Sequence, residues 1–579
     1  MARLDYAAPG VYVEEVRRGG GAIPGISMSV AGFVGFTEDV RGGAYLFEPT
    51  LVTSWNQYLQ YFAKMGSDGY TDFGSYLPYS VKGWFDNGGG RCWIVSLGTQ
   101  LPTQRREDLP EAEDNPLEIQ TFGKTPTLQF TLKPEQVENG RLTVVVEPDT
   151  PKPPEDRDDE PPFDTGEFFK VTLARRGTVL SENRMEDGEE LVGTDTVYRH
   201  LTMDRNVAPE AGTYVETALQ DSHFVNLNIL SERGMPLSRR PADGQYEISP
   251  PLVNYTADRL PYQIYGKQEE RTGVQGLFEI DDVSLIACPD IMFAYQRGLL
   301  NIDQVNGLME MLITRCENSA PSPAYKMVIL DPPPVRIGQD NDRPIEPARC
   351  RPQDIAKWLD MFGRRSQFAA FYYPWIKVPD IRRGGQPVMI PPSGHMLGVW
   401  ARTDETRGIH KAPANVTPRG VTGLAYDTNF REQEYLNPQG INCIRKFPNR
   451  GLQVWGARTL VDPADTDWRY ISVRRTMSYI AKSIELGTQW AVFEPNEQHL
   501  WSKITRSINN FLERLWRDGA LYGNTKEEAF FVKCDSQINT PETIRLGRLY
   551  VEIGVSPVRP AEFIIFRISQ LTNNAEDDN

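Results

Sequence analysis

The chain has 579 residues, with 62 lysines and arginines against 78 acidic residues and a formal net charge of −16. That length exceeds one ordinary core and predicts about two to four domains. The acidity argues against nucleic acid as a main partner, and it makes identical copies repel at long range, so any self-assembly must rest on local charge pairing and burial.

In chain order, residues 1–25 read as an N-terminal arm. Val11, Tyr12, Val13, Glu14 and Val16 form a short β-prone run, and Gly19, Gly20 and Gly21 break it. Residues 26–98 open a core, with a strand at 29–38, helices at 53–62 and 79–85 and a strand at 92–97. The region 99–275 changes character. Its strands (127–132, 141–147 and 168–177) surround a Pro-rich acidic stretch at 148–166 that cannot build a core, so it reads as an inserted, mostly-β domain. The core resumes over 276–436. Strands at 283–290, 326–334 and 368–375 alternate with helices at 302–316 and 353–362, which predicts a mainly parallel α/β sheet covered on both faces. The last block, 437–570, opens with NPQGINCIRKFPNRGLQVWGARTL (437–460). Turn signals at Asn437-Pro438-Gln439-Gly440 and Phe447-Pro448-Asn449-Arg450 frame a β-hairpin. Val473, Met477, Ile480 and Ile484 recur at helical spacing, and 490–494 reads as a strand. Pro495 and Asn496 are expected to cap a long amphipathic helix, 496–518, followed by strands at 530–535, 549–558 and 563–569 and a disordered acidic tail, 571–579.

Such a sheet can host chemistry beyond its strand ends. No phosphate-cradling GxxxxGK[ST], no GxGxxG and no GxSxG occurs. Asp164-Thr165-Gly166 is a lone triplet of a chemistry that needs two carboxylates. The six cysteines are scattered without a CxxC pair, as expected of reduced thiols and not of a zinc site. The five histidines, His200, His223, His395, His410 and His499, lack ligand spacing and read as surface or capping residues. No catalytic residue, metal or cofactor is therefore expected. The one site-like segment is 391–415, where Asp404, Arg407, His410 and Lys411 would form an acid–base cluster. The plainer reading is a helix from His395 to about Thr403 ending in a polar turn whose charges pair locally or with a neighbouring subunit. The start, MARLDYAAPG, has no apolar signal region, and no run approaches the ~20 apolar residues that span a bilayer. Cytoplasmic assembly without membrane insertion is expected.

PGVYVEEV, SVAGFVGFTE, PPSGHMLGVWARTDETRGIHKAPAN and the 437–460 segment occur in the order found in contractile tail sheath proteins, and the C-terminal block is similar as well. The chain resembles that family over about its first hundred residues and from about 275 onward. The region 99–275 resembles nothing we can name, and the family places variable outward-facing domains there. The resemblance implies a subtilisin-like central fold without protease chemistry. It also implies hexameric rings stacked helically around an inner tube, capped by baseplate and terminal proteins, which contract to drive the tube forward. In this setting the terminal arms donate strands to neighbouring subunits. The strand residues are Val11 to Val16 at one end and Phe563, Ile564, Ile565, Phe566 and Ile568 at the other, with Gly19 to Gly21 as a hinge. The particle is a phage tail or an injection system, assembled in the cytoplasm and released from it in some cases. In the helix 496–518, Leu500, Ile504, Ile508, Phe511, Leu512 and Leu515 form the apolar face. At ~100° per residue, Lys503, Arg506, Arg514 and Arg517 fall within an arc of roughly 80° away from it, a basic stripe suited to acidic residues on the tube or, more plainly, to local ion pairs. The competing classes are a static component of a phage-like particle and an α/β hydrolase.

Overall fold

The computed structural model describes residues 23–102, 117–133, 142–151, 166–174, 197–231, 234–248, 257–318, 325–338 and 342–565. Its centre is an eight-stranded sheet. The strands are β1 (Ala31–Gly35), β2 (Thr50–Val52), β3 (Cys92–Ser96), β4 (Leu285–Ala287), β5 (Met327–Leu330), β6 (Ala369–Tyr373), β7 (Ile441–Phe447) and β8 (Gly451–Val454). Their order is β8-β7-β6-β5-β4-β1-β3-β2. The six inner strands are parallel, and only the two edges, β2 and β8, run antiparallel. Burial explains the sequence signal. Every residue of β1, β5 and β6 is buried, so these strands read as continuous apolar runs.

Helices cover both faces. Those used below are α1 (Leu77–Asp86), α2 (Asp290–Gln296), α3 (Ile302–Glu317), α4 (Pro352–Phe362), α5 (Ser393–Arg407), α6 (Ile471–Thr488) and α7 (Gln498–Arg517). The start of α3 carries a reciprocal capping box between Asn301 and Gln304. The segment 99–275 contains one antiparallel three-stranded sheet and one five-stranded sheet, packed over their own core of Phe130, Val144, Phe169 and Leu201. A third core joins Ile23, Ile480 and the apolar face of α7 to the two-stranded sheet of β9 (Phe530–Lys533) and β10 (Glu552–Val555).

Several expectations change. The 437–460 hairpin does not open the C-terminal unit. β7 pairs in parallel with β6, because its buried half, Ile441 to Ile444, extends the central apolar sheet. Residues 257–275 are not part of the insertion's core, since Leu260, Ile264 and Val274 pack in the main one. The strand expected at 490–494 is a 3-10 turn, Gln489–Ala491, followed by exposed Val492 and Phe493. Asn496 does not cap α7; it accepts from Trp501 Nε1 at 2.8 Å and donates to the Arg548 carbonyl at 3.0 Å, and Glu497 takes the cap position. α5 runs to Arg407, past Thr403.

Candidate assembly surfaces and the sheet crevice

In an open parallel sheet, a ligand crevice forms beyond the carboxyl ends of the strands where the winding reverses. Here β1 continues to β3 on one side and the chain returns to β4 on the other, so the reversal lies between β1 and β4. Asp290 stands there, and its carboxylate faces no opening. It accepts from the backbone N–H of Phe36 at 2.6 Å, Tyr76 at 2.6 Å and Leu77 at 3.1 Å, tying β1 and the start of α1 to α2. Beyond β5, Asp331 accepts from the Ser393 N–H at 3.0 Å and so holds the first turn of α5. Burial pushes each carboxyl up to about 7, against the N–H donors that favour the ionised form. Both carboxylates thus hold helix N-termini.

α1 and α5 pack against each other at very short range. A Cβ on Gly394 would lie 2.4 Å from the Ser80 Cβ, and one on Gly398 would lie 2.6 Å from the Asn87 Cβ. His395 is buried in this contact, not on the surface as its lone position suggested, and burial pushes its pKa down to about 4. The cluster expected at 391–415 does not assemble. No hydrogen bond or ion pair joins any two of Asp404, Arg407, His410 and Lys411 among the described residues. Asp404 instead meets Arg475 of α6 through two bonds, at 2.7 and 2.5 Å, and accepts from the Ser29 hydroxyl at 2.7 Å. Lys411 donates to the Ala412 carbonyl. Half-buried His410 is pushed below its ordinary value, chiefly by burial. Asp164 and Thr165 lie outside the described residues.

The surfaces expected to serve assembly lie around the C-terminal unit. Val11 to Val16, Gly19 to Gly21, Phe566 and Ile568 fall outside the described residues. Phe563, Ile564 and Ile565 are described: they are 73%, 75% and 82% exposed, and none has a strand partner among the described residues. Just before them, Glu562 accepts from Arg458 Nε at 2.9 Å and Nη2 at 2.6 Å, from Asn437 Nδ2 at 2.7 Å and from the Tyr470 hydroxyl at 3.1 Å. On α7 the apolar face packs as its periodicity predicts. The basic stripe divides. Arg514 donates to the Ile23 carbonyl at 2.6 Å and Arg517 pairs with Glu513, while Lys503 and Arg506 have no bonding partner among the described residues. Sequence periodicity located the stripe; it held no signal for the Arg514 bond, because Ile23 lies 491 residues away.

Two family models match adjoining segments: "Phage tail sheath protein central domain" over residues 359–460 and "Phage tail sheath C-terminal domain" over 463–570. The chain is 30% identical over 212 residues to the tail sheath protein of Burkholderia phage BcepMu, covering 35% of this chain and 43% of that protein. It is 28% identical over 184 residues to the putative prophage major tail sheath protein of Pseudomonas aeruginosa (strain UCBPP-PA14), covering 31% and 45%. The match therefore spans less than half the length of these curated relatives. The whole fold is similar, with a TM-score of 0.51 and 22% identity, to a chain of the anti-feeding prophage (AFP) baseplate, over 98% of this chain and 100% of that one. It is similar to the same degree (TM-score 0.51, 21% identity, 98% and 99% covered) to the sheath complex of PVC, an extracellular contractile injection system, in its contracted state.

These matches give the class the chain is similar to: structural proteins of contractile phage tails. Within that class, residues 359–460 and 463–570 match the central and C-terminal domains of phage tail sheath proteins, side by side. No helix among the described residues is long and apolar enough to cross a membrane.

Proposed function

We propose that the chain is the repeating subunit of a contractile sheath. Copies stack as hexameric rings around an inner tube, seat on a baseplate, end at a cap protein and shorten to drive the tube through a target envelope. The particle assembles in the cytoplasm and acts outside the cell that made it. The single observation that carries this reading is the unfinished sheet of the C-terminal unit. Among the described residues β9 and β10 form a sheet of two strands, packed on α7, while Phe563 to Ile565 of the same chain stand in solvent without a strand partner among the described residues. A strand from a neighbouring copy would complete the sheet and cover apolar surface, joining subunits by backbone hydrogen bonds.

In this reading the arm strands are Val11 to Val16 and Phe563 to Ile568, with Gly19 to Gly21 as the hinge. The units are the arm 1–25, the central domain 26–98 with 276–436, the insertion 99–275 facing outward, and the C-terminal domain. The parallel pairing of β7 with β6 supports counting the hairpin 437–460 with the central domain. The parallel, helix-covered sheet supports a subtilisin-like description of the central domain in architecture only. Lys503 and Arg506 are the tube-facing charges, with Arg514 and Arg517 flanking them. Exposed, screened ion pairs are individually weak, which suits a surface that must let go of the tube. Storing energy in assembly requires no nucleotide.

Electron microscopy of the purified full chain tests this. Helical tubes that are lost when residues 563–579 are deleted are expected. Monodisperse particles at every concentration would overturn the reading.

A further inference from the structure

Among the described residues, two largely buried arginine–carboxylate pairs stand apart from the other ion pairs. Arg475 and Asp404 have side chains 3% and 12% exposed, and Arg458 and Glu562 have side chains 10% and 20% exposed. In both, the arginine fork spans a carboxylate, the arrangement that gives the best-defined geometry. Each pair also holds one end of the described chain. Arg475 Nη2 donates to the Met28 carbonyl at 2.8 Å, and the Ser29 hydroxyl donates to Asp404, so this pair grips the segment that leads back toward residues 1–22. Glu562 is itself the grip on the segment that leads into 566–579, and an outer pair, Arg559 with Asp467 at 2.8 Å, reinforces it.

Both pairs converge on one helix. Arg475 lies in the second turn of α6, and Tyr470, which donates to Glu562, is the residue that precedes its first turn. Arg458 forms an isolated bridge with Tyr470, and the Ile471 N–H donates to the Ala457 carbonyl at 3.0 Å. α6 is itself held by two cores, since Ile471 at its start packs in the central one and Ile480 at its middle in the C-terminal one.

We propose that these two pairs are clamps that set where both arms leave the subunit, and that α6 holds the two departure points in one fixed relation. Arg458, Glu562, Asp404 and Arg475 are thus positioning residues for the contact with the next copy of this chain, although none is part of a donated strand. This rests on the reading that the arms join neighbouring copies. A donated strand supplies affinity, and its starting point determines the angle and rise between copies. A loosened root would spread that angle even where the strand itself still pairs.

The test uses the full chain with Glu562→Gln and Asp404→Asn made separately, each keeping the side-chain shape while removing the charge. The thermal unfolding midpoint shows whether the subunit is folded, and electron microscopy of the polymers measures yield and helical order. Folded subunits whose polymers fall at least tenfold in yield, or lose their sharp helical repeat, are expected. If Glu562→Gln unfolds the subunit, Arg458→Lys, which keeps the charge and loses the fork, is expected to show the same defect in a folded chain. Polymers of normal yield and repeat from folded clamp variants would overturn the proposal. A deletion of residues 566–579 separates the two ideas. If the deletion abolishes assembly while clamp variants assemble normally, only the clamps fail. If the deletion also assembles normally, the arm reading fails, and the clamps fail with it.

Discussion

The central sheet and the C-terminal unit use strands in opposite ways. β1, β5 and β6 bury every residue, whereas β9 and β10 together bury one, Phe530. The first region satisfies itself: its edges are antiparallel closing strands, and Asp290 and Asp331 tie its strands to the helices that follow. The second leaves Phe531, Leu546 and Tyr550 exposed beside a two-stranded sheet. On the proposed function, a part that must not change shape is completed within the chain, and a part that joins another copy is left to be completed from outside. The boundary between the family's two domains, between 460 and 463, falls on the same division.

Four experiments would break or sharpen this contrast. The largest effect is expected from Asp290→Ala, which leaves three buried N–H groups without an acceptor. At ~1–3 kcal/mol for each unsatisfied buried group, urea unfolding should show a loss of ~3 kcal/mol or more. A loss below ~1 kcal/mol would mean that Asp290 does not tie β1 and α1 to α2.

The second concerns pH. Asp290 and Asp331 are raised to about 7 in the folded chain, from an ordinary ~3.9. Their contribution is therefore present in full below ~4 and is lost as pH rises through ~7, with a slope of at most ~1.4 kcal/mol per pH unit for each group. Glu562 behaves oppositely. Burial alone would raise it, but the bonds from Arg458, Asn437 and Tyr470 hold it below the usual carboxylate range. Its contribution is present above ~4 and is lost as pH falls through the lowered value. Unfolding followed at pH 5, 6 and 7.5 should find the central region most stable at pH 5, and Asp331→Asn should remove part of that slope. A flat profile would count against it.

The third is smaller. Phe493 is fully exposed and has a φ of 67°, a conformation that costs a bulky residue ~1 kcal/mol or more. Phe493→Gly should therefore leave stability unchanged or raise it by up to ~1 kcal/mol in thermal unfolding. A clear loss would show that the ring is held by contacts in the free subunit. The smallest effect on folding is expected from Lys503→Glu with Arg506→Glu, within ~0.5 kcal/mol. The same variant should fail to form sheath on tubes, and extended particles of normal length would remove the tube contact.

Legibility in the sequence followed the same division. The parallel strands could be read because β6, AAFYY, is apolar throughout, and α3 could be read because its buried residues keep helical spacing. α2, which begins where the expected strand at 283–290 ends, was not anticipated, since Asp290 to Tyr295 are all buried and give no period. The turn at 489–491 was misread for the converse reason: apolar Val492 and Phe493 look like strand residues but face solvent. The candidate surfaces were legible where a helix defined them, as in the α7 stripe. They were not legible where they depend on distant partners. Ser29 meets Asp404 across 375 positions and Glu562 meets Arg458 across 104, and neither separation leaves a local pattern.

The contact between α1 and α5 has a further consequence. What brings these helices together is missing atoms, at Gly83, Gly394 and Gly398; a Cβ on Gly83 would lie 2.2 Å from the His395 ring. A single methyl group at any of them would tilt one helix against the other. In a lone enzyme such a tilt is a local fault that neighbouring loops absorb. In a chain repeated along a polymer, as proposed here, each copy would pass its error to the next, and small deviations would accumulate along the stack. The glycines therefore set a manufacturing tolerance for the whole assembly, even though they touch no other subunit.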